Sequence, residues 1–223
     1  MTQGYSSRGA REAHGHPVGS AIACSYRDQL ARPAESPDRR CSRRRWKADQ
    51  VIAALALPVT LHTRTQDVIL RRAVVDDLAV IMKLLSDDPV SAARGDRADE
   101  ADSAAYRSAL VELIADPSNE VLVVVNGSGE AVGTMQLTRI PGMARRGAAR
   151  LQVEAVRVGS DHRSSGIGAA MMQWVTDTAA PAAGASLVQL TSDEARKDAH
   201  RFYQRLGFTG SHRGFKFSVD ERR

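Results

Sequence analysis

The sequence predicts an α/β domain of the α+β type: a mixed sheet of about six to seven strands flanked by about four helices. Three observations predict it. From residue 68 onward, apolar residues recur at either strand or helix spacing. Strand-like and helix-like runs interleave, yet two of the strands are joined by a tight turn, so parallel and antiparallel pairs must share one sheet. Charge also changes near residue 66. Residues 1–66 hold 11 Lys and Arg against 5 Asp and Glu, net +6, whereas residues 67–223 hold 20 against 21, net −1.

Each element follows in order. Val68–Arg72 reads as a strand. Residues 75, 78, 81, 82 and 85 are apolar at helical spacing, with Asp76 and Asp77 in the first turn, where the helix dipole favours carboxylates. An acidic loop from Ser86 to Glu100 leads to a second helix over Asp102–Ala115. Val121–Val125, the turn Asn126-Gly127-Ser128-Gly129 and Ala131–Thr138 make a hairpin. Pro141–Gly147 connects it to a long strand, Arg150–Val158. A helix over Gly166–Ala179, a strand over Leu187–Thr191 and a helix over Lys197–Leu206 follow, with Gly207 at the C′ position. Phe208 onward and Gly214–Val219 read as final strands.

Residues 1–66 show no sustained periodicity and contain the run Arg39-Arg40-Cys41-Ser42-Arg43-Arg44-Arg45. Such a segment buries too little apolar surface to offset its ordering entropy, so it is expected to be a disordered extension, or a start annotated too far upstream, ahead of a domain at 67–223. The basic pI is a property of that extension, and with interleaved aromatics nearly absent a nucleic-acid partner is not expected. Both cysteines, Cys24 and Cys41, also lie there, so neither a disulfide framework nor a metal site is expected. No apolar run approaches a membrane-spanning length, and Val51–Val59 lies too far from the start for a signal peptide. The expected compartment is the cytoplasm. Alanine richness and the preference for Arg over Lys point to a GC-rich bacterial coding sequence.

One local pattern carries chemistry. The strand ending at Val158 hands over to a helix through Arg163-Ser164-Ser165-Gly166-Ile167-Gly168. The first turn of a helix leaves backbone N–H groups without intrahelical partners, and with the dipole they form an anion site. Gly166 and Gly168 leave room for a phosphate, and Arg163 offers a charge-assisted contact. Gly166 to Met171 ends in Met where a dinucleotide fingerprint wants Gly or Ala, and the G-K-[ST] of a phosphate loop is absent. A glycine-softened helix start without a ligand remains the bland alternative.

The segment Arg163-x-x-Gly166-x-Gly168 resembles the acyl-CoA signature of the GNAT superfamily of N-acetyltransferases. Ala199-His200-Arg201-Phe202-Tyr203-Gln204-Arg205-Leu206-Gly207-Phe208 resembles that superfamily's A-x-x-F-Y-x-x-x-G-F segment. The element order from Val68 to Val219 is similar as well. The resemblance implies a twisted, mostly antiparallel sheet with a central splay. It implies acetyl-CoA as co-substrate, with its pyrophosphate held between Arg163 and Ala169 (Arg163, Ser164, Ser165, Gly166, Ile167, Gly168, Ala169). The pantetheine arm would pair with Val156, Arg157 and Val158, with Ser192 nearby. It also implies an amine acceptor and no metal.

Acetyl transfer needs a group to take the amine's proton, polarisation of the carbonyl and a donor to the departing sulfur. Glu154 is the candidate base, because a carboxylate within an apolar strand is costly without a partner or a task; a salt-bridged or edge-facing Glu is the alternative. Tyr203 is the candidate acid, placed near the sulfur by the resemblance; a core aromatic is the alternative. Phe202 and Tyr203 point about 100° apart on a helix, so only one can face the pocket. The carbonyl oxygen is expected near the backbone N–H of Val156. His162 and His200 are expected at the cofactor entrance or on a solvated face. Asp87, Asp88, Asp96, Asp99 and Glu100 are expected as a solvated loop able to attract a cationic amine. Arg145 and Arg146 are open to an acidic group or to a partner subunit in a homodimer. A non-catalytic acyl-CoA sensor of the same fold is the competing function.

Overall fold

The hairpin forms where the strand pattern is strongest. In the computed structural model, which describes residues 52–93 and 95–219, β3 (Asn119–Val125) pairs antiparallel with β4 (Ala131–Ile140). Asn126 Oδ1 accepts the N–H groups of Ser128 and Glu130 and shapes the turn between them. Val121 to Val124 are all buried, so β3 is covered on both faces. The sheet extends to either side in the order β1-β2-β3-β4-β5-β6, with β1 at Val59–His62, β2 at Asp67–Arg72, β5 at Ala149–Val158 and β6 at Ala185–Leu190. Every neighbouring pair is antiparallel except β5 and β6, which are parallel.

Among the described residues the longer helices are α1 (Leu78–Ser86), α2 (Ser103–Ala115), α3 (Ile167–Trp174) and α4 (Lys197–Arg205). On one face of the sheet, Leu70, Leu122, Met135, Leu137 and Leu151 pack against Ile167, Met171 and Trp174 of α3. On the other, Val121 and Val123 meet Ile81 of α1 and Leu110 of α2. This is the mixed, curled sheet that the element order predicts, and it has the expected splay. β5 and β6 pair from Ala149↔Ala185 to Val153↔Leu190 and no further. Glu154, Arg157 and Val158 keep β4 partners on the other side, so the edge of this half of β5 that faces β6 is open.

Two regions differ from the sequence reading. Residues 52–62, assigned above to the extension, belong to the sheet and core. Ile52, Leu55 and Leu61 are buried, β1 pairs with β2, and Arg72 Nη2 donates to the carbonyls of Ala53 and Leu55 at 2.9 Å. Composition averaged over the basic segment conceals one short apolar run that a long-range contact makes useful. Residues 1–51, with the arginine run, Cys24 and Cys41, lie outside the described residues. At the other end, the expected strands at Phe208 onward and Gly214–Val219 are not formed: residues 208–219 carry neither helix nor strand. Phe215 and Phe217 alternate as a strand would, but both are exposed. Alternation describes which side chains share a face, and a strand also needs a ladder to join.

Asp77 locks the start of α1 to β2. Its carboxylate takes two hydrogen bonds from Arg71 at 2.8 Å and one from the Val74 N–H at 2.8 Å. The Arg71 hydrogen bonds, against the desolvation of burial and with help from the Val74 N–H, hold its pKa below the usual carboxylate value. Stability from a lowered carboxyl pKa is present above the unfolded value of about 4 and is lost as pH falls through the folded one. Asp77→Asn is therefore expected to cost about 2 kcal/mol at neutral pH. Urea unfolding should show that difference shrinking as pH falls below about 4, and a constant difference would refute the linkage.

Candidate active site

The site is built where β5 and β6 part. A cavity of about 100 Å³ opens there, lined by residues 153–157 of β5, Leu190, Thr191 and Ser192 at the end of β6, and Arg196, Ala199 and Tyr203 from α4 and its approach. Glu154, the last β5 residue before the strand turns, is exposed at this cavity and registers opposite Gln136 of β4. The next residue, Ala155, has φ +51°, left-handed backbone that an alanine adopts only when its surroundings enforce it. The β4–β5 ladder is irregular at the same point, between Thr134 and Gln136. The bulge interrupts the side-chain alternation, so Glu154 and Arg157 both line the cavity although they are three positions apart.

After Val158 the chain forms a 3₁₀ turn, Ser160–His162, and then the cradle. Ser164 has φ +63° and Gly166 φ +99°. A Cβ on Gly166 would lie 3.2 Å from the Arg64 backbone nitrogen, so glycine is required here by both conformation and close approach. α3 starts at Ile167, and the N–H groups of Ile167, Gly168 and Ala169 have no intrahelical partner to use. The β1–β2 turn braces the loop from outside: Arg64 donates to the Ser164 carbonyl, and Thr65 Oγ1 approaches the Ser165 carbonyl at 3.4 Å. Ser165 Oγ donates to the His162 carbonyl at 2.6 Å. Gly168 lies against Phe202, where a Cβ would make an ordinary contact at 3.4 Å.

Arg163 is held by α1's end rather than pointing freely at the cradle. Its guanidinium donates to the Asp87 carbonyl at 2.6 Å, to Asp87 Oδ2 at 3.1 Å and to the Val158 carbonyl at 3.3 Å. Asp87 also accepts the Ser160 N–H at 2.7 Å. The acidic loop is thus only partly the solvated feature expected from sequence: Asp87 braces the cradle, and Tyr106 donates to Asp96 at 3.1 Å.

Asp88 anchors a second group. It accepts the Ser91 N–H at 2.8 Å, capping the turn Pro89–Ala92, and it is ion-paired with Arg196. Ser91 Oγ in turn accepts from Arg157 Nη2 at 2.6 Å and from Arg196 Nη2 at 3.0 Å. Burial raises the Asp88 pKa, but the Ser91 hydrogen bonds and the two arginines outweigh it and leave the pKa lowered. The Arg157 pKa is lowered as well, chiefly by burial and then by the neighbouring Arg196 charge. Arg196 and Ser91 were not singled out by sequence; only an arginine just ahead of the Tyr203 helix hinted at the first.

Tyr203 faces the cavity, while Phe202 turns away and packs on Gly168, as the helical geometry requires. The Tyr203 ring meets Phe202 and Phe208 edge-on at 5.1 and 5.8 Å between centroids. Burial pushes its pKa up, opposed by Arg157 and Arg196, so the hydroxyl stays protonated at neutral pH. The helix closes as expected: with Gly207 at φ +88°, its N–H reaches the Gln204 carbonyl and the Phe208 N–H the Tyr203 carbonyl, both at 3.0 Å. Glu154, Val156, Arg157, Ser192 and Tyr203 are brought to one cavity. The cradle lies beyond the far end of the open β5 edge. His162 and His200 stand outside the cavity lining, with His200 on the Asp193 carbonyl at 2.8 Å. Arg145 and Arg146 are exposed in a left-handed turn.

A search of curated proteins returns no match. Among solved structures, a transcriptional regulator from Bacillus halodurans C-125 is 37% identical with a TM-score of 0.64, over 68% of this chain and 99% of the other. An acetyltransferase from Trypanosoma brucei is 23% identical with a TM-score of 0.55, over 69% of this chain and 100% of the other. Glucosamine-6-phosphate N-acetyltransferase from Arabidopsis thaliana is 15% identical with a TM-score of 0.55, over 69% and 99%. The last two share the fold. A match to the acetyltransferase (GNAT) family runs over residues 79–208, more than half of the sequence and every residue that lines the cavity, and the chain belongs to that family.

Proposed function

We propose that the protein is an N-acetyltransferase that moves the acetyl group of acetyl-CoA to a primary amine by direct attack in a ternary complex. The observation that carries this reading is the single cavity at the β5–β6 splay lined by both Glu154 and Tyr203. Coenzyme A fits what the chain offers. The left-handed residues Ser164 and Gly166 and the first N–H groups of α3 suit a pyrophosphate. The open edge formed by Val156, Arg157 and Val158 suits an amide-containing arm, and Ser192 Oγ in the same cavity is buried without a hydrogen-bond partner among the described residues.

Acetyl-CoA supplies an acyl group activated as a thioester. The residues supply the rest. A lysine-type amine with a pKa of about 10.4 is mostly charged at neutral pH, and Glu154, directly or through water, takes its proton. The backbone N–H of Val156, next to the bulge, is the donor for the charge that develops on the carbonyl oxygen. The Tyr203 hydroxyl gives a proton to the departing sulfur. Thiol release from acetyl-CoA across a panel of primary amines, with mass detection of the acetylated product, tests the reading; hydrolysis without any N-acetyl product would refute it.

A second reading has one observation in its favour: the 37% identical protein is described as a transcriptional regulator. On that reading the domain senses acyl-CoA without transferring. Tight acetyl-CoA binding with no transfer to any amine would favour it.

A further inference from the structure

Two arginines enter the cavity from opposite sides. Arg157 comes from the bulged end of β5 and Arg196 from the approach to α4, and both converge on Ser91 Oγ. One carboxylate, Asp88, is ion-paired with the pair, through Arg196. The Arg157 Nε and Arg196 Nε atoms are both buried without a hydrogen-bond partner among the described residues. Asp96 also attracts Arg157 without forming an ion pair with it, yet burial and the neighbouring Arg196 charge outweigh both carboxylates at Arg157, and two like charges held together in a partly desolvated place are relieved when an anion meets them. Glu154 lines the same cavity yet forms no ion pair with either arginine. The nearer alternative, that the two arginines merely tie the Pro89–Ala92 turn to the sheet, explains the Ser91 contacts but not why both residues also line the cavity shared with Glu154.

We propose that the acceptor amine carries an anionic group, a carboxylate or a phosphate ester, which Arg157 and Arg196 hold while its amine end faces Glu154. This rests on the N-acetyltransferase reading and narrows its substrate class. Guanidinium groups recognise both kinds of oxyanion through paired N–H donors. The cavity then has a division of labour: cationic at the Arg157–Arg196 wall and anionic at Glu154, which matches a small zwitterion in one orientation. Cationic polyamines would meet the wrong charge at the arginine wall.

The test compares compact amines that differ in one group: ethanolamine, β-alanine, O-phosphoethanolamine and ethylenediamine. Binding to the full chain saturated with coenzyme A is read by calorimetry, and kcat/KM with acetyl-CoA by thiol release. The anionic members should exceed the neutral and cationic ones by roughly 10- to 100-fold, and the order of β-alanine against O-phosphoethanolamine identifies the oxyanion. Arg196→Gln should collapse that ratio. A uniform loss of turnover for all amines, with the ratio intact, would overturn the proposal and make the arginines stabilisers of the leaving sulfur. Equal binding and turnover of ethanolamine and both anionic amines by the unaltered protein would overturn it too. If no amine is acetylated but the anionic ones bind preferentially, the charge selectivity stands and the transferase reading falls.

Discussion

Tyr203→Phe is expected to lower kcat about 100-fold or more, the size of effect that loss of a positioned general acid produces. The substitution removes one hydroxyl and leaves the ring on its edge-on contacts with Phe202 and Phe208, so the fold should be retained. Affinity for acetyl-CoA should change little, because the cradle lies on a different element, at the start of α3. Steady-state kinetics beside a thermal unfolding curve separates these effects. A variant with normal Tm and normal kcat would leave Tyr203 as a packing residue. The raised pKa of this hydroxyl has a consequence as well. Any decline in activity from its ionisation should appear only above the ordinary tyrosine value of about 10.

Glu154→Gln is expected to lower kcat/KM for an amine about 100-fold at pH 7, with a pH dependence that identifies the cause. Without a base the enzyme must wait for the free amine, whose fraction rises tenfold per pH unit below a pKa of about 10.4. The deficit should therefore narrow as pH rises toward 10. A deficit that stays constant across pH would mean that Glu154 positions the acceptor instead of taking its proton. Because Glu154 is exposed at the cavity and carries no ion pair among the described residues, the substitution should leave stability nearly unchanged.

Much of this site was legible in the residues. The cradle reads locally because it is one strand, one turn and the first turn of one helix, all within about twenty residues. Glu154 was visible as a carboxylate in an apolar strand, and Tyr203 through the resemblance of its segment, Ala199 to Phe208, to the GNAT pattern. The Arg157–Ser91–Arg196 group was not legible. Its bonds join residues separated by 66 and 105 positions, and no local period marks them. The acidic loop likewise looked solvated, because nothing near Asp87 or Asp88 in sequence announces Arg163 and Arg196 as partners. β1 was hidden for the same reason, as Leu61 becomes core only when β2 and α3 are beside it.

The sequence by itself determined the order of strands and helices from β2 to α4, the helix-start cradle at Arg163–Gly168 and the two candidate groups on separate elements. These depend on side-chain period and on backbone groups near each other in the chain. Only the tertiary structure decided that β5 and β6 separate after Val153 and Leu190. It also decided that Ala155 bulges so that Glu154 and Arg157 line one cavity, and that residues 208–219 join no ladder. Those outcomes depend on how far each strand reaches and which edge it meets, and these are set by packing between segments distant in sequence.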